Sequence, residues 1–542
     1  MTDHTAPDAT RTDRHEPLGR AAARGMSFMV LVGLFGKLLS TITTIVLGIL
    51  LTDTDFGLYG LALGLAGILS VLRDGGVKQI AIQRGPRGFR RLYGPVGWMS
   101  LTFNTTAGLI LAGIAPIAAQ AYAEPTLMWL LFVTALSAPL ITVGSLNRAQ
   151  LQADLRHGTL ARVNAWNNFA RYTSMIVLAS LGAGPFAFVV PYVIVAVVDG
   201  VYSTLMTRTL FFTRRPRLAV WPVLFARAKW TLTGTLGLAV LNRADYLVLG
   251  LFLSTAVVGL YTFAFQLAIQ VNTVLASNFQ SVIFPTLARF ADDRERHRAA
   301  VVRATRMLAL VSSVGGVGLA CVFPSLEAMI WNGKWRAAVI PAQLMCLALP
   351  MRMCMTIHNA TALSLGRFKG WAAFNWAQGA GLVLATILAG VVGATRLPDQ
   401  SAAAAAATAV IAGYYALVIP VLIAARMRRY GVPARDTLAG VFGPWIITVA
   451  AGAVVLLPTS FIPGLLAPLH ANLPGRLGHA AELVLRGAAF ALLIAIAAPA
   501  IMPKTVAELI ALMPDRTRPI LRRLTRTLPP KRPELPSTEV AP

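Results

Sequence analysis

Acid is what this sequence has least of. Its 542 residues include 22 Asp+Glu against 48 Lys+Arg, and charges of both signs make up only 13%. Soluble domains carry about 25% charged residues, so a water-exposed globular surface is excluded. Cysteine is nearly absent. Cys321, Cys346 and Cys354 lie in apolar segments, with neither even pairing nor metal-ligand spacing. That excludes a disulfide framework and a zinc site, and leaves small core hydrophobes. Long hydrophilic loops are also missing. The largest stretch between two late apolar runs, about 458–479, holds Pro458, Pro463, Pro468 and Pro474 but no cluster of acid, base or nucleophile. Neither an enzyme nor a catalytic residue is expected, and no cofactor or metal. No cleavable signal is expected either, because the first 25 residues are polar and the next apolar run is too long for a signal core.

What is there is apolar. Hydrophobic residues make up 56% of the chain and the mean hydropathy is +0.66. Runs of roughly 18 or more apolar residues read as membrane-spanning helices. Fourteen such runs fall near 26–51, 57–72, 93–119, 126–145, 163–183, 186–207, 230–253, 257–283, 304–326, 338–364, 371–393, 402–424, 438–457 and 480–502. The expected fold is therefore all-α and integral to the membrane, with about 14 transmembrane helices. The net charge of +26 would suggest nucleic acid in a soluble protein, but here the basic residues gather in alternate loops. They occupy the N-terminal tail (Arg11, Arg14, Arg20, Arg24) and a second loop from Arg73 to Arg91. The set continues with Arg148, Arg156 and Arg162, then 208–229, 289–306, Arg367 and Lys369, 426–435 and the C-terminal tail. The intervening loops are nearly bare. Both termini are thus expected in the cytoplasm, and no nucleic-acid partner is expected. In the tail, Val506, Leu509, Ile510 and Met513 have helical spacing. That allows an amphipathic helix on the inner leaflet, with a solvated tail as the alternative.

One turn organises the chain. Thr52-Asp53-Thr54-Asp55 separates the first two spans and opens Phe56-Gly57-Leu58-Tyr59. An echo follows the seventh span. Without gaps, Leu51 falls on Leu253, Gly57 on Gly259, Leu58 on Leu260, Tyr59 on Tyr261, Leu63 on Phe265 and Ala66 on Ala268. Self-similarity at this period suggests two homologous halves.

Charges inside the spans need an account, since each costs about 2.5–3.5 kcal/mol at a helix centre. Lys37 lies about eleven residues, or roughly 16 Å, from the start of its span. That is too far to snorkel, so an aqueous lumen is favoured. The seventh span carries Asn242, Arg243 and Asp245, with Asn242 and Asp245 on one face. They form a polar edge on a cavity, or pair with neighbouring helices. The tenth carries Arg352 above Asn359, with His358 on another face as a hydrogen-bonded structural group or a proton relay. The fifth carries Asn164, Asn168 and Arg171, and the sixth Asp199 at the depth of Arg171. These two are expected first as a structural ion pair, and second as substrate contacts. The eighth bears Gln266, Gln270, Asn278 and Gln280, as a cavity lining or as interhelical hydrogen bonds. Lys37, Arg243 and Arg352 outnumber Asp245 near mid-membrane. A cavity with that balance attracts anions, and phosphate suits Arg best.

The turn and its flanks resemble the polysaccharide-biosynthesis flippases of the multidrug/oligosaccharidyl-lipid/polysaccharide exporter superfamily. The resemblance rests on Leu50-Leu51-Thr52-Asp53-Thr54-Asp55-Phe56-Gly57-Leu58-Tyr59, Asp74-Gly75-Gly76-Val77 and Ile82-Gln83-Arg84. It continues through Asn242-Arg243-Ala244-Asp245, Gly259-Leu260-Tyr261, Phe284-Pro285 and Trp331-Asn332-Gly333-Lys334-Trp335, over roughly 26–425. Asp53 stands where that family often has Pro. The resemblance implies two six-helix lobes around a cavity plus two further helices. The expected organisation is a tail at 1–25, an N-lobe at 26–210, a basic linker at 211–229, a C-lobe at 230–425, extra helices at 438–502 and a tail at 503–542. It also implies alternating-access translocation of a polyprenyl-diphosphate-linked oligosaccharide across a bacterial inner membrane. On that reading Lys37, Arg243, Arg352 and Asn242 hold the substrate and Asp245 is the candidate for ion coupling. Membrane lipids surround the protein, and polysaccharide polymerase and export machinery are candidate partners. The alternatives are an ion-coupled multidrug exporter of the same fold, disfavoured by the scarcity of intramembrane acids, and a membrane polysaccharide polymerase.

Overall fold

The computed structural model describes residues 15–74, 78, 81–82, 84–213, 215–290, 292–396, 399–461, 473 and 475–511. Side chains at 15–30, 72–74, 220, 224, 227–228, 271–286, 288, 395–396 and 458–461 fall outside that description. Several expectations lie there wholly or in their side chains: the N-terminal arginines, Asp74-Gly75-Gly76-Val77, Gln83, Asn278, Gln280, Phe284-Pro285, most of 458–479 and the tail from Met513.

Every described element is helical. In order these are α1 (His15–Leu50), α2 (Asp53–Asp74), α3 (Gly85–Ala121), α4 (Pro125–Ala153), α5 (His157–Ser180), α6 (Phe186–Thr207), α7 (Trp221–Phe252) and α8 (Thr255–Arg289). Then follow α9 (Arg294–Trp331), α10 (Val339–Met353), α11 (Met355–Ser364), α12 (Phe368–Arg396), α13 (Gln400–Gly413), α14 (Ile419–Met427), α15 (Ala434–Phe461), α16 (Arg476–Ile501) and α17 (Pro503–Ala511). A helix lies at each of the fourteen expected positions. Twelve stretches among the described residues are long and apolar enough to cross a membrane. The two others are α5, whose Asn and Arg residues dilute its apolar face, and α8, whose described apolar part is Thr255–Gln270. The protein is thus all-helical and multi-pass.

Local chemistry sets the helix starts. Thr52 and Asp55 form a reciprocal capping box before α2. The Asp55 amide donates to Thr52 Oγ1 at 3.2 Å and the Thr52 amide donates to Asp55 Oδ2 at 2.9 Å. Asp53 and Asp55 also place negative charge at the positive end of that helix. The echo has its own cap, Ser254, whose Oγ accepts from the Val257 amide at 3.5 Å. At the end of α9, Asn332 and Gly333 both turn left-handed, with φ of 53° and 86°. The Trp335 amide then donates to Glu327 Oε1 at 2.9 Å. The Trp331–Trp335 motif is therefore a helix stop.

The chain divides into two compact units, Met1–Gln266 with Phe368–Ala407, and Leu267–Arg367 with Thr408–Pro542. In the first unit α7 packs on α12 and α2, α3 on α4, α4 on α6, and α1 on α5. The Asn375 amide group and the Trp376 indole donate to the carbonyls of Gly234 and Thr233, both at 3.1 Å, which fixes α12 to α7. Tyr122, between α3 and α4, donates to the Leu247 carbonyl at 3.1 Å. Burial pushes its hydroxyl up to about 12, so it stays protonated as a donor.

In the second unit α9 packs on α10, α15 and α16. Val506 and Ile510 of α17 are buried against Leu310 and Ala498, and Arg303 pairs with Glu508 at 3.2 Å. The apolar stripe of the tail is spent on protein, so neither a leaflet-lying helix nor a solvated coil describes 503–511.

Candidate functional site

The polar centre of the first unit is built on Tyr59, the aromatic of the turn motif. Its ring stacks on Phe188 of α6, with centroids 4.0 Å apart and planes at 10°. Its hydroxyl lies in the electrostatic reach of Tyr192, Arg171 and Arg243. Arg171 of α5 donates to the Tyr192 hydroxyl at 3.2 Å. Its guanidinium sits 5.0 Å from the Tyr192 ring centroid and 5.9 Å from that of Tyr172. Arg243 of α7 runs along α2, where a Cβ built on Gly67 would lie 2.9 Å from its Cγ. Among the described residues no carboxylate lies within ion-pair distance of either arginine. Lys37 is half-buried on α1, next to Gly36, which abuts the Asn168 amide group of α5.

The expected Arg171–Asp199 pair does not form. Asp199 is buried and ion-pairs with Arg148 of α4, while Asn167 donates to its other oxygen at 2.9 Å. Gly144, one turn before Arg148, opens the space: a Cβ there would lie 2.9 Å from Asp199 Cβ and closer to its carboxylate. Equal depth on neighbouring helices suggested Arg171. The pair is instead set by which faces meet, and α6 turns Asp199 toward α4. Arg171 is left to the tyrosines.

Asp245 and Arg243 diverge on α7, as their spacing requires. The fully buried Asp245 accepts from the Tyr261 hydroxyl at 2.6 Å and from the Tyr246 amide at 3.0 Å. Tyr261 is the echo of Tyr59, so each copy of the motif tyrosine serves a charged centre. Asn242 donates to the Leu238 carbonyl of its own helix at 2.7 Å. Gln266 and Gln270 of α8 are half-buried.

In the second unit the expected tenth span breaks at Cys354 into α10 and α11. Pro350 lacks the N–H that would bond the Cys346 carbonyl. That carbonyl faces Gly316 of α9, where a Cβ would lie 2.8 Å from Pro350 Cγ. The expected twelfth span is interrupted too, by a π-helical turn at Tyr414–Val418 just ahead of Pro420. Arg352 and Tyr415 meet where these breaks face each other. The guanidinium lies 4.8 Å from the Tyr415 ring centroid, and Arg352 is only 4% exposed. Paired interrupted helices with a buried cation are the construction that membrane carriers use at binding sites. His358 is buried, 5.8 Å from the Tyr430 ring centroid. Arg367 and Arg426 sit 6.0 and 5.7 Å from that same ring.

The family model for "Polysaccharide biosynthesis protein" matches residues 46–340, from just before the Thr52–Asp55 turn to just after the Trp331–Trp335 loop. The chain belongs to this family. Among curated relatives, it is 22% identical over 318 residues to the teichuronic acid biosynthesis protein TuaB of Bacillus subtilis, covering 57% of this chain and 64% of that protein. It is 21% identical over 339 residues to the lipopolysaccharide biosynthesis protein WzxC of Escherichia coli, covering 62% of this chain and 67% of that one. The matches thus span about two thirds of these relatives' lengths. Its fold is similar to that of a solved structure of the lipid II flippase MurJ, inward closed conformation, with a TM-score of 0.63 at 10% identity, covering 86% of this chain and 97% of that one.

Within this polysaccharide biosynthesis protein, Arg171, Asp199, Asn242, Arg243 and Asp245 lie inside the matched range, while Lys37 and Arg352 lie outside it. Three contributors escaped the sequence. Arg148 reads as one more basic loop residue. Tyr192 and Tyr415 read as ordinary apolar-run aromatics. A tyrosine one helix away from an unmatched arginine was the only signal available.

Proposed function

We propose that this protein translocates a polyprenyl-diphosphate-linked oligosaccharide across the bacterial inner membrane by alternating access. The observation that carries the reading is a pair of arginines, Arg171 and Arg243, both within electrostatic reach of Tyr59 and with no carboxylate at ion-pair distance among the described residues, in a member of a polysaccharide biosynthesis family. Intramembrane arginines such as Arg171 and Arg243, with no carboxylate at ion-pair distance among the described residues, favour an anionic cargo, and a diphosphate matches the planar donor fork of Arg. In the first unit Lys37, Asn242 and Arg243 hold the diphosphate and Arg171 joins them, and in the second unit Arg352 is the substrate-binding candidate. The lipid tail stays in the bilayer. No covalent bond is made, so the protein is a carrier and not an enzyme. α5 and α8 cross as the fifth and eighth of fourteen spans. Helices α1–α6 and α7–α14 form two lobes, 26–210 and 230–425, with α15 and α16 added. Both termini face the cytoplasm, a reading supported by the alternation of basic loops. Asp245 couples transport to an ion gradient as the charge that the coupling ion neutralises.

The test is a deletion strain assayed for complete lipid-linked repeat units on each leaflet. Accumulation on the cytoplasmic leaflet, relieved by the wild-type gene but not by Lys37→Ala, Arg243→Ala or Arg352→Ala at normal abundance, is expected. Full export by all three variants would sink the cationic-site reading.

A further inference from the structure

Where α3, α4 and α6 end on the basic-loop side, the protein forms two adjoining open cavities that share Thr209. One, of about 300 Å³, is lined by Arg90, Tyr93, Gln150, Thr207 and Thr209. The other, of about 610 Å³, opens past Arg208 and is flanked by Leu205 and Leu210. Both volumes suit a small-molecule site. The hydroxyls inside are pre-arranged. Thr209 Oγ1 donates to Gln150 Oε1 at 2.8 Å and lies 3.1 Å from Thr207 Oγ1. The Tyr93 hydroxyl donates to Asn147 and stands 3.3 Å from the Thr209 carbonyl.

Two features make this more than a gap. The lining changes character: polar groups line the inner cavity, while Leu205 and Leu210 on the outer rim are 64% and 42% exposed. That is the profile of a head group in a notch with its acyl chains along the rim. The second feature is Arg208. It caps α6 in the left-handed conformation, with φ 54°, where the backbone favours glycine or asparagine. Arg208 is exposed there and without an ion pair among the described residues, in a conformation that carries a backbone penalty. Arg90 adds a second guanidinium, shared with Asp154 at 3.5 Å.

We propose that this paired cavity binds the phosphate of an anionic phospholipid from the cytoplasmic leaflet. Arg208 and Arg90 donate to the phosphate oxygens, and the acyl chains lie along Leu205 and Leu210. Basic pockets between transmembrane helices on this side have the chemistry for such head groups. The site is separate from Arg171, Arg243 and Arg352, so it stands whether or not the cargo assignment does.

The test is native mass spectrometry of the full chain released from phosphatidylcholine nanodiscs doped with phosphatidylglycerol. Wild type is expected to retain phosphatidylglycerol over phosphatidylcholine, and Arg208→Gln to lower that retention about fivefold. Arg208→Gly is the decisive variant. It relaxes the backbone, so it should melt no lower than wild type while losing the lipid. Lys229→Gln, on the same side but outside the cavity, should change nothing. Undiminished retention by Arg208→Gly and Arg208→Gln would overturn the proposal. Displacement of the lipid by millimolar inorganic phosphate would overturn it as well, since the site would then belong to a soluble anion.

Discussion

Gly57 and Gly259 meet backbone to backbone. A Cβ on Gly259 would lie 3.0 Å from the Gly57 nitrogen and 2.6 Å from the Asp53 carbonyl carbon. One on Gly57 would lie 2.8 Å from the Thr255 carbonyl carbon. The two contacts are reciprocal, because Thr255 and Asp53 are separated by the same interval as Gly259 and Gly57. A sequence repeat has become a self-complementary contact, with each copy's glycine fitted to the other copy's first helical turn. Overpacking such a site costs about 1–3 kcal/mol. Gly57→Ala and Gly259→Ala should each lower the melting temperature in detergent. The double variant should be milder than the sum, since both act on one contact. A Gly259→Ala protein that melts like wild type would refute the close approach.

The Asp199–Arg148 pair predicts stability rather than transport. Removing one partner of a buried pair leaves a charge uncompensated, at about 3–5 kcal/mol. Asp199→Ala should therefore deplete the folded protein, measured as membrane abundance and thermal melting. Arg148→Met with Asp199→Leu should recover part of the loss. Arg171→Met should leave melting near wild type. If Arg171→Met proves as damaging as Asp199→Ala, the pairing described here is wrong.

These outcomes also mark what could be read before the structure. Apolar runs located the helices because a span must satisfy its backbone internally, whatever its neighbours do. The Gly57/Gly259 repeat was legible for a similar reason: a close approach forbids a side chain, and that leaves a mark at one position. The Arg171–Asp199 expectation failed because depth along a helix is readable from spacing, but rotation against a neighbour is not. Rotation put Asp199 against Gly144 and Arg148. The break at Cys354 was foreshadowed by Pro350, whereas the π-turn at Tyr414–Val418 depends on how the next helix packs. Hydroxyl partners such as Tyr192 carry no charge pattern at all, so they surfaced only with side-chain geometry.

Arg171 separates a structural from a functional cation. A hydrogen bond to a charged group is worth about 1.5–3 kcal/mol, which is roughly tenfold or more in rate if it is made to cargo. Arg171→Gln should lower polysaccharide export about tenfold at unchanged protein level. Tyr192→Phe, which loses one orienting hydroxyl, should do less. Quantitative export assays normalised to immunoblots would check both, and wild-type export by Arg171→Gln would remove this residue from the site.

Arg352 on Tyr415 tests the paired helix breaks. A desolvated cation–π contact is worth about 2 kcal/mol. Tyr415→Phe keeps the ring and should retain both stability and export. Tyr415→Leu removes the face that Arg352 rests on and should lose both in part. If Phe and Leu behave alike, the hydroxyl or the volume matters and the ring face does not.

Asp245 carries the most specific prediction, because its partner sits in the repeat. The carboxylate accepts from Tyr261 at 2.6 Å, in the first half of α8 just after Gly259. Neutralising Asp245 changes what Tyr261 holds, and hence how firmly the start of α8 is tied to α7. Asp245→Asn keeps an acceptor and the side-chain volume, so the protein should reach the membrane at normal abundance. It removes the charge that a coupling cation or proton would neutralise. Transport by this variant in proteoliposomes should therefore no longer respond to an imposed sodium or proton gradient. Tyr261→Phe keeps the charge but strips a donor from a buried acceptor, at about 1–3 kcal/mol. It should lower melting while leaving the gradient response in place. A gradient response in Asp245→Asn equal to wild type would assign this carboxylate to structure alone, with Tyr261 as its brace.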